Sequence, residues 1–149
     1  MPFGFRIPEY KNNARAGFTI LELLVVLAIL GILIGLVAPT ALRQLGTAKH
    51  KVAQQSIARI SEVLDLYKLD TGGYPTTEQG LEALVAQPAG VTGWNGPYLK
   101  PVKIPLDPWN RPFQYRAPSQ RADHAYDLFT YGAEGQPNGT GESATIMNE

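Results

Sequence analysis

From Phe18 to Ala38 the chain is almost wholly apolar: FTILELLVVLAILGILIGLVA. About 20 such residues at a rise of about 1.5 Å cover the roughly 30 Å hydrocarbon core of a bilayer. The preceding stretch, residues 1–17, is polar and carries Arg6, Lys11 and Arg15 against Glu9. A basic flank on the N-terminal side predicts that this end stays cytoplasmic, with everything after Pro39 on the far side of the membrane.

After Pro39 the pattern turns amphipathic. Leu42, Leu45, Val52, Ile57, Ile60, Leu64 and Tyr67 follow steps of three, four and seven with one slip of five. Arg43, Lys49, Lys51, Arg59 and Glu62 fall largely elsewhere. This predicts a helix over about 40–70 whose apolar stripe is covered by the C-terminal half. It should end at Asp70-Thr71-Gly72-Gly73, with Tyr74-Pro75 beyond. Thr76 and Gln79 offer a capping box, followed by a short helix through Leu81, Leu84 and Val85 that stops near Pro88. Turn-rich pieces follow at Trp94–Tyr98 and Asp107–Pro112. Phe113–Arg116 and Tyr126–Tyr131 alternate as strands able to pair as a hairpin. The tail from Gly132 has little apolar content.

Composition narrows the function. With 149 residues, one domain plus an appendage is expected. Lys+Arg and Asp+Glu number 13 each, which argues against nucleic-acid binding. Without cysteine there is neither a disulfide framework nor a thiolate metal site. His50 and His124 stand alone, and no spacing suggests zinc. No P-loop, G-x-S-x-G or nucleophile–base set is present. Asp65 with Asp70, or Asp107 with Asp127, is better read as solvated or capping carboxylates than as an acid pair. No catalytic residue is assigned, and the chain is not expected to be an enzyme.

The order of the N-terminal signals is unusual. A secretory signal places its small-residue cleavage site after the apolar region. Here Ala16-Gly17 precedes it, so a cut after Gly17 leaves the apolar helix in the mature protein, beginning at Phe18. Glu22 then falls fifth. A carboxylate in a membrane helix costs several kcal/mol unless neutralised or paired. Either it reaches interfacial water, or it pairs with the ammonium of a neighbouring copy offset by about one turn. Gly31, Gly35 and Pro39 recur every four residues. They permit close helix contact, or they mark a segment able to kink or melt, since Pro39 removes a hydrogen bond and crowds the Gly35 carbonyl.

Gly17-Phe18-Thr19-Ile20-Leu21-Glu22 resembles the type IV prepilin motif. The resemblance implies cutting between Gly17 and Phe18 by a prepilin peptidase, N-methylation of Phe18, and an assembly role for Glu22 with Phe18. The blocks Tyr74–Leu81, Trp94–Leu99 and Asp107–Tyr115 resemble those of the major pseudopilins of type II secretion systems, the general secretion pathway protein G family. The likeness runs from Gly17 to about Gly135. It implies an α+β, pilin-like fold: a long N-terminal helix, membrane-spanning in its first half, packed on a small antiparallel sheet with a short extra helix and a C-terminal loop. Three regions follow: a cleaved leader over 1–17, a transmembrane and assembly helix over 18–39, and a periplasmic domain over 40–149. The implied protein sits in the inner membrane and polymerises into a periplasmic filament that drives exoprotein export. Its implied partners are itself, minor pseudopilins, the peptidase, the inner-membrane assembly platform, the secretin and secreted substrates. The alternatives are a type IV pilin, a minor or competence-type pseudopilin, or a single-pass anchored periplasmic protein.

The resemblance also implies a calcium loop, where aspartates and backbone carbonyls hold the ion. In this chain the matching stretch reads Tyr131-Gly132-Ala133-Glu134-Gly135, then Asn138 to Ile146. Glu134 stands for the first aspartate. Only Glu142 remains of the later acidic cluster, with Ser143 and Thr145 where aspartates are expected. The expectation is a loop without a cofactor, held by Ser, Thr and Asn hydrogen bonds to backbone. A weakened calcium site at Glu134, Glu142, Ser143 and Thr145 is the alternative.

Overall fold

The computed structural model describes Met1, Gly4 and residues 17–149. The leader residues Arg6, Glu9, Lys11, Arg15 and Ala16 lie outside the described residues. The chain forms two compact units, Met1–Thr40 and Ala41–Glu149.

Helix α1 covers Ile20–Thr71 and includes Pro39 without a break in its assignment. In the first unit every residue of 17–40 is exposed. An 18-residue window of α1 reaches a mean hydropathy of 3.0 with none of it buried. A helix apolar all round and uncovered by its own chain belongs in lipid or against other helices.

In the second unit α1 supplies Ala53, Ile57, Ile60, Leu64 and Tyr67, alternating steps of four and three that keep one face inward. They meet Leu81, Ala83, Leu84, Leu99, Phe113, Tyr126, Leu128 and Ile146 in a single core. The upper part of the expected stripe is not covered: Leu42, Leu45 and Val52 remain 65%, 54% and 50% exposed. Only Gly46 is buried there, because the Glu142 side chain lies against its Cα where a Cβ would stand. The helix stops at Thr71, where Gly72 takes φ +85° and donates its N–H to the Lys68 carbonyl at 2.8 Å, the left-handed stop that glycine permits.

The capping box forms: Thr76 N–H donates to Gln79 Oε1 at 2.9 Å and Gln79 N–H to Thr76 Oγ1 at 3.2 Å. It closes a turn, however, not an α-helix. Gly80 follows at φ +58°, and the expected short helix is one turn of 3-10 helix, Leu81–Leu84. The turn-rich stretches are tied down by aromatic donors. Trp94 Nε1 donates to the Ala83 carbonyl at 2.8 Å, and Tyr115 Oη to the Pro75 carbonyl at 2.8 Å.

Strands β1 (Gln114–Arg116) and β2 (Asp127–Thr130) pair antiparallel as the expected hairpin. A third strand, β3 (Ile146–Met147), adds to β2 antiparallel, giving the order β1-β2-β3. The tail from Gly132 is thus not mere loop: it returns to the sheet and buries Ile146.

Candidate functional site

Gly17 and Phe18 precede α1, outside regular structure, and Phe18 is 82% exposed. Thr19 caps the helix: its Oγ1 accepts the Glu22 N–H at 3.1 Å, and its carbonyl accepts the Leu23 N–H at 3.1 Å. Thr19-x-x-Glu22 has capping-box spacing, so the signal was available in sequence, although the motif reading passed over Thr19. Glu22 falls in the first turn, where a carboxylate complements the positive end of the helix dipole. Gly17, Phe18 and Glu22 therefore cluster at one helix end. Gly31, Gly35 and Pro39 lie farther along; a Cβ at either glycine would meet nothing within 4 Å.

The carboxylates considered as acid pairs are separately engaged. Asp65 Oδ1 accepts the Tyr74 hydroxyl at 2.6 Å, and Asp70 Oδ2 accepts the Tyr98 hydroxyl at 2.9 Å. Asp107 and Asp127 are buried, not solvated. Asp127 receives Arg116, Arg121, Ser119 Oγ and the Gln120 N–H. Burial would raise its pKa, but these donors outweigh it and hold the carboxyl well below its usual range. His50 lies edge-on to Trp109, and His124 Nδ1 is 3.0 Å from the Ala122 carbonyl.

In the C-terminal loop the side chains considered as calcium donors differ in exposure. Calcium takes six to eight oxygens with carboxylates supplying charge. Glu134 and Glu142 are both exposed, and the Glu142 side chain lies against Gly46. Ser143 is buried and Thr145 exposed. Among the described residues no three acidic or histidine side chains gather in a way that could hold a metal. The carbonyls of Gly132 and Ala133 instead accept Arg111 Nη2 and Nη1. The expected Ser, Thr and Asn side-chain bonds are replaced by this guanidinium and by backbone bonds, such as Ala133 N–H to the Glu142 carbonyl at 2.9 Å. The sequence does not single out Arg111 within the Asp107–Tyr115 block, because its carbonyl partners lie more than twenty residues away.

An N-terminal capped apolar helix joined to this small α+β unit defines a prepilin-like filament subunit. Residues 12–38 match the prokaryotic N-terminal methylation motif, and residues 40–149 match type II secretion system protein G. The type II secretion system core protein G of Pseudomonas aeruginosa is 45% identical over 142 residues, 93% of this chain and 97% of that protein. That of Vibrio cholerae is 43% identical over 141 residues, 93% and 94% of the two chains. The crystal structure of the major pseudopilin from the type 2 secretion system of enterohaemorrhagic Escherichia coli is similar with a TM-score of 0.57. It is 34% identical and covers 68% of this chain and 87% of that one. The chain belongs to the type II secretion system protein G family.

Proposed function

We propose that this chain is the repeating structural subunit of a type II secretion pseudopilus, made as a precursor, cut after Gly17 and methylated on Phe18. The observation that carries this reading is one chain holding two things: a methylation-motif helix with no residue buried from Gly17 to Leu45, and a unit over residues 40–149 that matches protein G. In this reading the exposed apolar helix anchors the subunit in the inner membrane with its N-terminus cytoplasmic. When the subunit leaves the lipid, neighbouring copies cover that surface instead. Gly31, Gly35 and Pro39 form the stretch that adapts to the change, through close helix contact or local melting.

The subunit is a building block without catalysis of its own. The assembly platform adds copies at the base, minor pseudopilins join as partners, and the growing rod moves secreted protein towards the secretin. The test is mass spectrometry of assembled protein together with a secretion assay. The mature chain is expected to begin at methylated Phe18. Gly17→Val is expected to leave the precursor uncut, because a branched side chain must enter a site shaped for glycine. An intact leader in assembled filaments, or normal secretion without this subunit, overturns the reading.

A further inference from the structure

We propose that Arg111 is the built-in cation of the C-terminal loop, and that this chain closes the loop without calcium. The guanidinium presents Nη1 to the Ala133 carbonyl at 3.1 Å and Nη2 to the neighbouring Gly132 carbonyl. Its Nε faces Asp107 Oδ2 at 3.7 Å. A planar fork with five fixed donors serves two adjacent carbonyls and a carboxylate at once; an ammonium has three donors but no fixed fork to hold them in that plane.

Each partner of the fork is itself held. Asp107 is 3% exposed. Its Oδ1 accepts the N–H groups of Trp109 and Arg111 at 3.0 and 2.8 Å, and its Oδ2 accepts the Thr130 hydroxyl at 2.6 Å. Thr130 is the last residue of β2, directly before the loop. Arg111 thus joins the Asp107–Pro112 turn to the point where the chain leaves the sheet. The loop is shaped around it. Gly135 has φ +70°, and a Cβ there would come within 2.6 Å of Nη1. Glycine takes that backbone without strain and leaves the guanidinium where it lies.

This arrangement also opposes a divalent ion. Each carbonyl oxygen turned towards the guanidinium has one lone pair engaged, and an added cation beside it would meet a like charge in a partly desolvated place. The inference is independent of processing and of the filament role.

The experiment uses the full-length protein in detergent micelles. It combines thermal melting with hydrogen exchange of residues 131–146, in about 5 mM calcium, well above the range of extracellular calcium modules, or in excess chelator. The wild type is expected to melt at the same temperature and exchange at the same rate in both. Arg111→Gln is expected to melt roughly 4 °C lower or more, with faster exchange over 131–146. Arg111→Lys is expected to recover part of the loss. A calcium-dependent rise in wild-type melting temperature with slower loop exchange overturns the proposal. So does unchanged loop exchange in Arg111→Gln. If that variant fails to fold, the wild-type comparison and Arg111→Lys decide; a lysine variant indistinguishable from wild type counts against the fork.

Discussion

Asp127 Oδ2 lies 2.6 Å from Nη2 of Arg116, its cross-strand partner, and the Asp127 side chain is fully buried while Arg116 keeps 34% exposure. A buried carboxylate is tolerable only when its lone pairs are filled, and here Arg121, Ser119 and the Gln120 amide complete the set. The group fastens β1 to β2 and, through Arg121 to the Asn148 carbonyl at 2.9 Å, to the residue that follows β3. Asp127→Asn is expected to cost about 3 kcal/mol, because two arginines lose their counter-charge. The folded pKa is depressed, so the stabilisation is complete above the unfolded value of about 4 and disappears as pH falls through the folded value. Denaturant unfolding of wild type and variant should therefore differ most near neutrality and converge in strong acid.

Tyr74 offers an alkaline counterpart. Its hydroxyl donates to Asp65 Oδ1 at 2.6 Å, and this bond first, with burial second, pushes its pKa up to about 12. The phenol is the stabilised form. Its contribution is present below the unfolded value of about 10 and is lost as pH rises through about 12. Burial also raises the pKa of Tyr67, Tyr98, Tyr115 and Tyr126, so the Tyr74 step is the difference in phenolate absorbance between wild type and Tyr74→Phe, and it should move to lower pH in Asp65→Asn. A titration unchanged by Asp65→Asn rejects the assignment.

Two leucines of α1 separate folding from assembly. Leu64 is fully buried, and Leu64→Ala is expected to cost about 2–5 kcal/mol. Leu45 is 54% exposed, and Leu45→Ala is expected to change the stability of the single chain by less than about 0.5 kcal/mol. If neighbouring copies cover it, the same change should weaken filaments. Equal melting of Leu45→Ala and wild type, with fewer crosslinked filament ladders from the variant, is the expected pair of results.

Much of this was legible in the chain because it rests on local chemistry. The 3.6-residue period places the helix, Gly72 ends it, and the alternation of Phe113–Arg116 and Tyr126–Tyr131 gives the hairpin, which is one to two residues shorter in each strand. The failures involve distant contacts. Periodicity does not say how far a covering layer reaches, so Leu42, Leu45 and Val52 were read as core. β3 has two residues, too few for any alternation to register. Thr76 and Gln79 made the right reciprocal bonds, but Gly80 diverted the backbone before a helix could follow. Of the candidate site, Gly17, Phe18 and Glu22 came from a contiguous motif. Arg111 lies in the Asp107–Tyr115 block, four residues from Asp107, but its bonds to the loop carbonyls depend on the chain folding back by more than twenty residues.

Glu22 allows a test between two physical roles. Its place in the first turn of α1 lets it stabilise its own helix by about 0.3–1 kcal/mol through the dipole. An inter-subunit role requires the charge itself, opposite the ammonium of a neighbouring Phe18, which is largely protonated at neutral pH with a pKa of about 8. Thr19→Ala removes the cap that Thr19 Oγ1 provides to the Glu22 N–H, at a cost of about 1 kcal/mol, and leaves the carboxylate in place. If only helix strength matters, Thr19→Ala and Glu22→Gln should impair assembly alike. If the ammonium pair sets register, Thr19→Ala should still form filament ladders. Glu22→Gln and Glu22→Ala should insert in the membrane, since losing a charge favours lipid, yet give few ladders or ladders of altered spacing. Crosslinking of membrane-inserted protein carrying each change separates the two. Normal ladders from Glu22→Ala remove any assembly role for this carboxylate.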